Sequence, residues 1–565
     1  MTRIIILRAI LLPVLAVIML AAGMPLASGQ GKNEEVTIIA PYIPSIGDAT
    51  KISFKPEIKP EDNDTAKFSF SYTDRPYPVH IDPQPLEAIK YGQGDKPQLY
   101  RNFAKIGIGN YYTPYLDFMA TSLQSEKLLF GARLKHHSSQ GKIKGYPVSA
   151  YSHNLIDIFG KTFFKSHTLS LEAGYDRDVV HFYGFQPDSF PAFEFTKENI
   201  RQRFQHLDAG IEFSSNYREN DKLNHSIRLG VDHFTDLYGS RETEVGFKTR
   251  FDKSFKAGRS DFNHAVALDF GLDFLNFRDS ISSSSPFFMQ FKPVYRLHFG
   301  QYRFMAGIDV SLAATDSPGG SSVGIDVFPL LKAEVIVIPS QLSAYAEISG
   351  ERTINSYRNL AGINPFIISN PQVSFTDEQF SIGGGITGNA AGINFHVSAA
   401  YSYINDMALF VTDTALVPEN RFKVIYDDLN RVKIQAGLGY VKTGRFSARM
   451  NAAYYYYKPE NELKAWHLPD YEVDLDASYT FLERYTAKLS LLALGSKYAP
   501  VYASGETASE KLNGALDLGA GAEYEISHML TAWLDINNIL NQHYQRWQEY
   551  PVQGILIMAG VKLSF

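Results

Sequence analysis

Gly554-Ile-Leu-Ile-Met-Ala-Gly-Val-Lys-Leu-Ser-Phe565, GILIMAGVKLSF in one-letter code, ends the chain. Ile555, Ile557, Ala559, Val561, Leu563 and Phe565 fall on one side of an extended backbone, and strict alternation marks a β-strand between two different environments. An aromatic at the last position is unusual where termini commonly fray. The soluble alternative is an edge strand of a large β-sandwich.

The same alternation recurs upstream. Val432, Ile434, Ala436, Leu438 and Tyr440 alternate with Lys433, Gln435, Gly437 and Gly439. Phe446, Ala448, Met450, Ala452 and Tyr454 alternate with Ser447, Arg449 and Asn451, and Val473, Leu475, Ala477, Tyr479 and Phe481 with Asp474, Asp476 and Ser478. In a membrane barrel the apolar face meets lipid and the polar face lines water. The connections discriminate this from a sandwich. Counting back from the C-terminus, 542–553 is long and 525–528 short, 495–511 long and 482–485 short, 458–470 long and 442–444 short, 405–430 long and 389–392 short, 352–377 long and 339–341 short. Short turns at one rim and long loops at the other are the asymmetry of a transmembrane barrel. The expected fold is all-β, a closed antiparallel transmembrane barrel of about 22 strands, with 20 or 18 as alternatives. About 22 spans of ~10 residues use ~220 residues and leave a similar number for loops.

Composition agrees. The chain has 565 residues, 45% of them hydrophobic, 34 Tyr and 39 Phe but only 3 Trp. Mean hydropathy is −0.17. Beyond the N-terminus no run approaches the eighteen apolar residues of a helical span. The net charge of −6 gives nucleic acid no electrostatic foothold, so no nucleic-acid partner is expected. With no cysteine, disulfides, thiolate metal sites and a lipid-bearing N-terminal Cys are excluded.

Residues 1–29 read as an export signal. Arg3 and Arg8 precede the apolar stretch 9–22, and small residues Ala27 and Gly29 follow, placing cleavage before Gln30. Pro13 and the short apolar length argue against a membrane anchor. Residues 30–97 differ from the rest: 9 of the 27 prolines lie in 31–97. Proline removes ladder donors. This part reads either as an extended periplasmic or lumenal segment or as a disordered linker. The barrel is assigned to 98–565.

With strands and turns in place, a family resemblance emerges. Ile557, Ala559, Val561, Leu563 and Phe565 resemble the C-terminal insertion signal of Gram-negative outer-membrane barrels. Leu534-Asp535-Ile536-Asn537-Asn538-Ile539-Leu540-Asn541, followed by Tyr544, resembles the penultimate strand and loop start of TonB-dependent receptors. Asn364-Pro365-Phe366 and the stretch 401–413 are similar to that family's barrel. The resemblance implies a cell outer-membrane location, solute uptake, binding or pore function, and as partners outer-membrane lipid, the barrel-insertion machinery and TonB or periplasmic or lipoprotein components. Family members carry a folded N-terminal plug of well over a hundred residues, whereas only 31–97 stand ahead of this barrel, so the chain resembles a plugless, receptor-like barrel with its lumen partly blocked. Glu35, Val36, Thr37, Ile38 and Ile39 are similar to the TonB box, an extended segment that pairs as an added strand; a plain first strand is the other reading. A non-transporting scaffold subunit of an outer-membrane assembly or export complex is the alternative function.

No enzyme motif emerges: no HExxH, P-loop or GxSxG is present. No catalytic, cofactor or metal residues are assigned. His136 and His137 lack metal-ligand spacing. Gly383-Gly384-Gly385 reads as close backbone packing inside a strand. Asp176-Arg177-Asp178 with His181 is the densest charged cluster, read as a solvated strand end or a ligand contact near the loop side. The connections 176–198, 352–377 and 405–430 are the candidates for a lid.

Overall fold

In hydrocarbon a backbone amide finds no water, so a spanning sheet must pair every edge. The chain meets that demand by closing on itself. The computed structural model describes residues 100–565 apart from 123–126, 218–221, 257–261, 318–319, 416, 443–444 and 504–505. The export signal, the proline-rich segment and Glu35–Ile39 lie outside the described residues. A closed antiparallel barrel of 22 strands runs from Asn102–Gly109 to Leu556–Ser564. The last strand pairs with Leu530–Asn537 on one edge and with the first strand on the other. Phe565 completes the seam: its carbonyl accepts from the amides of Arg101 (3.1 Å) and Asn102 (2.8 Å), and its own amide donates to Asn102 (3.1 Å). The strand starts at Leu556, one residue after Ile555.

The rim that holds both ends of this seam carries the tight turns 300–301, 339–341, 391–392, 482–484 and 528–529. The opposite rim carries 182–200, 356–373, 460–470, 495–514 and 538–555, although 110–112 is short there too. The expected parity holds. One connection differs in kind. Most of 405–430 is strand, since Ile393–Thr412 and Phe422–Lys442 run far past the spanning region and leave only 413–421 as connection. Below, the tight-turn rim is the inner rim and the other the outer rim, the orientation such barrels take.

The outward side chains are apolar and exposed, among them Ile434, Leu438, Tyr454, Tyr479, Ile557 and Val561. The wall of the lumen is charged and paired across strands: Lys105–Asp535 at 3.1 Å, Arg133–Asp117 at 2.8 Å, Lys332–Glu347 at 3.1 Å and Arg431–Glu378 at 2.9 Å. Aromatics gather near the inner turns, where Phe481 stacks on Tyr485 (5.4 Å) and Tyr485 on Tyr524 (4.8 Å), as an interfacial girdle requires. The run Tyr454–Tyr457 divides between faces: Tyr454 and Tyr456 are exposed outward, whereas Tyr455 stacks on Tyr457 (5.6 Å) over the lumen wall. The triple glycine sits within strand Ser374–Ala390, where a Cβ on Gly383 would stand 2.6 Å from the Ala399 carbonyl oxygen, so the neighbouring backbone leaves room for hydrogen alone.

An arginine at the outward position Leu438 is expected to destabilise the barrel by about 2–4 kcal/mol if it lies near the bilayer midplane. Gln435→Arg, on the lumen side of the same strand, is expected to be near neutral. Urea titration of liposome-inserted protein, read by the heat-modifiable gel shift, checks the contrast.

Candidate functional site

Near the outer rim the interior changes character. Phe204, Phe234, Phe277, Phe410 and Phe422 point inward from five different strands, and each is buried. Inward phenylalanines would be unfavourable against water. They are covered because the outer loops fold in over them and share one apolar core.

Two segments build the cover. The first is 356–373, which contains the seven-residue helix Tyr357–Ile363. Ser356 caps it by accepting from the amide of Asn359 (3.2 Å), and the Glu242 carboxylate accepts from the amides of Tyr357 (2.6 Å) and Arg358 (3.2 Å). Acceptors at both places answer the amides that a helix start leaves unpaired. The hydroxyl of Tyr357 donates to Asp236 (2.9 Å), and its ring meets Phe204, Phe234 and Phe277 edge-on. Arg358 reaches Asp232 (3.7 Å) and Glu244 (3.6 Å) on the lumen wall.

The second segment, 538–555, grows from the Asp-Ile-Asn-Asn patch. Asn538 and Asn541 have positive φ (50° each), a backbone that Asn tolerates better than most residues, and the chain turns there. The Asn538 side chain donates to the carbonyls of Gln542 (2.7 Å) and Gln553 (3.0 Å), while Tyr544 donates to Asp517 (3.0 Å). The segment then crosses to several other loops. Tyr550 stacks on Phe366 with ring centres 3.7 Å apart, meets Tyr183 at 4.9 Å, and donates its hydroxyl to the Asn420 carbonyl. Tyr183 donates to the Pro551 carbonyl (2.9 Å) and Tyr146 to Glu549 (2.8 Å). Asn420 donates to the Phe182 carbonyl (2.6 Å), and Arg421 lies over the rings of Phe182 and Tyr238. Residues of 182–200, 356–373 and 413–421 thus converge on Tyr550, and 140–150 reaches its neighbour Glu549.

Two cavities flank this cap. Beneath the helix, Ser152, His153, Asp176, Asp178, His206, Asn355 and Arg358 help line one of about 850 Å³. On the other side Phe185, Phe190, Thr412, Glu419, Tyr502 and Glu549 help line one of about 540 Å³. The charged cluster seen in the sequence is therefore divided. Asp176 and Asp178 face the inner cavity, with Asp178 2.6 Å from His153. Arg177 sits one position out of phase between them. His181 is buried at the strand end, its Nδ1 2.6 Å from the Ala150 carbonyl oxygen. His136 and His137 lie in strand Leu128–Ser139, against Asn154 (2.7 Å) and Tyr151 (3.3 Å) respectively. Among the described residues no group of three His, Cys, Asp or Glu could hold a metal ion. Of the segments named as lid candidates, 352–377 and the later part of 176–198 pack into the apolar cores at this rim, while of 405–430 only 413–421 is loop. The central part of 538–555 in the cap was missed. Its signal was the aromatic density of Tyr544, Trp547 and Tyr550 in a polar loop.

No protein-family model and no curated protein matches the sequence. Solved structures do. The pyoverdine outer membrane receptor FpvA of Pseudomonas aeruginosa superposes with a TM-score of 0.62 at 12% identity, over 83% of this chain and 79% of that one. The FrpB iron transporter of Neisseria meningitidis gives 0.63 at 11% identity, over 83% and 82%. The copper transporter OprC gives 0.59 at 13% identity, over 82% and 80%. At such identities the likeness is one of fold. The protein has the fold of these outer-membrane receptor and transporter barrels, and its outward apolar face is the surface such a barrel turns to lipid.

The cap contains a titratable joint. His467 is buried; its Nδ1 lies 2.9 Å from the Phe410 carbonyl and its Nε2 accepts from the Gln548 amide (3.3 Å). Only the neutral ring can do both. Burial lowers its pKa to about 4, and Lys497 adds to the fall. Lys497 donates to the Arg546 carbonyl (3.2 Å), and burial lowers its own pKa to about 8. With the loops apart, His467 would return to an ordinary value near 6.5. Its contribution to closure is therefore complete above pH ~6.5 and is lost as pH falls toward ~4. Tryptophan emission, which includes Trp547 against the His467 ring, is expected to shift to the red over that window, with His467→Gln flattening the response. Truncating Tyr550 to Ala should loosen the cap by about 3–5 kcal/mol, the scale of a buried aromatic, read as faster hydrogen exchange in 356–373 and 413–421 with the strand amides unchanged.

Proposed function

We propose that this barrel binds a solute at its outer mouth and passes it inward, with the loops around Tyr550 as the closure. The observation that carries the reading is the apolar core that 356–373 and 538–555 share with Phe410 and Phe422 of the long hairpin, over a charged lumen. A structural wall needs no such core. A closure that separates two cavities, one on each side, does have a use for it. The similar structures, a pyoverdine receptor, an iron transporter and a copper transporter, support uptake as the general activity. In this reading residues 30–97 contribute to blocking the lumen. Glu35–Ile39 offers TonB an edge to pair with. Ile557, Ala559, Val561, Leu563 and Phe565 serve as the signal read by the insertion machinery.

Planar-bilayer recording tests the arrangement with four proteins: the full chain, Tyr550→Ala, a chain lacking 31–97, and the two changes combined. The full chain is expected to be silent and the combined form to open in large resolved steps, each single change giving intermediate or brief openings. Large steady conductance from the full chain would refute closure. Silence of the combined form would refute the gated lumen and favour the scaffold function.

A further inference from the structure

Much of the lumen wall sets unlike charges against each other across strands, but one row does the opposite. Asp208, on strand Arg201–Ser215, stands directly opposite Asp232 on Asn224–Thr235, and Asp232 directly opposite Glu244 on Arg241–Lys256. Like charges so placed repel. The row continues through Gly174 to Asp157, and the carboxylates of Asp157 and Asp208 close in over that glycine. One row deeper, Asp273 pairs with Gly246. It is only 8% exposed, yet its Oδ1 has no hydrogen-bond partner and hangs over the bare Gly246, 2.9 Å from where a Cβ would stand. Lys248 stands off from it at 3.9 Å. A carboxylate so buried without a hydrogen bond costs stability, so the row is built for a charge that the wall does not supply.

The cap supplies that charge, and supplies it loosely. Arg358, on the helix Tyr357–Ile363, comes down between Asp232 (3.7 Å) and Glu244 (3.6 Å). Both distances suit an ion pair and exceed a hydrogen bond, and the Arg358 Nε is buried with no partner. A guanidinium has five N–H donors, and this one brings none of them within hydrogen-bond range of the two carboxylates. The inner cavity of about 850 Å³ borders the same ground. Arg358 and His206 line it beside Asp176 and Asp178, and Asp176 Oδ1 is buried with no hydrogen-bond partner. The outer cavity agrees in sign. Glu419 and Glu549 stand there among Phe185, Phe190 and Tyr502, and its described lining includes no Lys, Arg or His. Carboxylates beside aromatic faces suit an organic cation and repel an anion on either side of the cap.

We propose that Asp208, Asp232 and Glu244 form a binding site for an organic cation carrying a guanidinium or primary ammonium group, and that Arg358 occupies this site in the shut cap as a tethered stand-in. The inference rests on the reading of the cap as a closure, and it adds the class of solute. With the cap shut, Arg358 takes the row. When the helix lifts, Arg358 leaves with it and the row is open to a free cation, which can come within hydrogen-bond range where the tethered side chain does not. Such a solute binds the open form better than the shut one, and that difference is what a ligand needs in order to shift the equilibrium.

Agmatine, a guanidinium with a primary amine at its other end, is the probe. It is added to the purified full chain in detergent micelles and read by calorimetry and by hydrogen exchange in 357–363. Removing a positive charge should tighten the binding of a cation here: Arg358→Gln is expected to bind agmatine about fivefold or more tighter than the natural chain. Arg358→Lys, which keeps a tethered cation, should bind like the natural chain. Agmatine should speed exchange in 357–363 of the natural chain, and calcium chloride at equal ionic strength should not. Glu244→Gln should lose the binding, with Asp208→Asn taking its place if Glu244→Gln fails the heat-modifiable gel shift. An Arg358→Gln chain no tighter for agmatine, exchange in 357–363 untouched by agmatine, a folded Glu244→Gln chain that binds as before, or calcium acting like agmatine would each overturn the inference. Steady conductance of the full chain would refute the closure and leave these affinities as they are, so the two failures are told apart.

Discussion

Hydrocarbon offers no partner to a backbone amide or carbonyl, and every large feature of this molecule follows from where that constraint acts and where it stops. Within the band the sheet has no freedom: it must close, its strands must alternate, and its last residue must meet its first. Phe565 does so with three backbone hydrogen bonds to Arg101 and Asn102. Beyond the band water returns, and unpaired backbone becomes tolerable. There the strands Gly320–Ile338 and Leu342–Asn355 separate, Ile393–Thr412 and Phe422–Lys442 extend as a long hairpin that packs into the cap, and the outer loops fold.

The cap shows a second consequence. A wide charged lumen is a liability if it stays open, and charge cannot seal it, because exposed ion pairs are held weakly. The chain instead reverses its polarity rule near the outer rim. Phe204, Phe234, Phe277 and Phe422 point inward, and Tyr357, Phe366 and Tyr550 come down to meet them. Several polar groups in and around this core are matched: Glu242 with the helix start, Asp236 with Tyr357, His467 with Phe410 and Gln548. Such a core has few intermediate states, since removing one loop exposes the rest. That is the property expected of a closure with two states.

How far this could be read from the sequence follows from the same division. Inside the band, period-two alternation is a direct image of the environment, so Val432–Tyr440 and Phe446–Tyr454 announced their strands and faces, and the turn lengths gave the two rims. Above it the signal reverses without changing form. An inward Phe204 or Phe410 looks like an interruption of the pattern, and a strand that continues into water, as at 405–412 and 422–430, reads as loop. The helix Tyr357–Ile363 is too short for a recognisable repeat and contains Gly362. The convergence on Tyr550 joins residues from four loops hundreds of positions apart, and no local pattern encodes it. The charged triad at 176–178 was read as one cluster because neighbours in a strand are adjacent in sequence, yet alternation puts Arg177 and its two aspartates on opposite faces.

Opening such a cap has a thermodynamic condition. To turn a closure that is 99% shut into one that is 99% open, a ligand must favour the open form by roughly 5.5 kcal/mol. A solute bound equally well before and after opening shifts nothing. The two cavities lie on opposite sides of the cap core, so a solute in the outer one, against Phe185, Glu419, Tyr502 and Glu549, touches two loops that also hold the core together. Glu549 is adjacent to Tyr550, and Glu419 to Asn420, whose carbonyl receives the Tyr550 hydroxyl. A ligand that draws those two carboxylates toward itself pulls on both ends of that one hydrogen bond. In the proposed reading, binding energy applied there would act on the residues where the loops converge, and that adjacency is the physical route it would take.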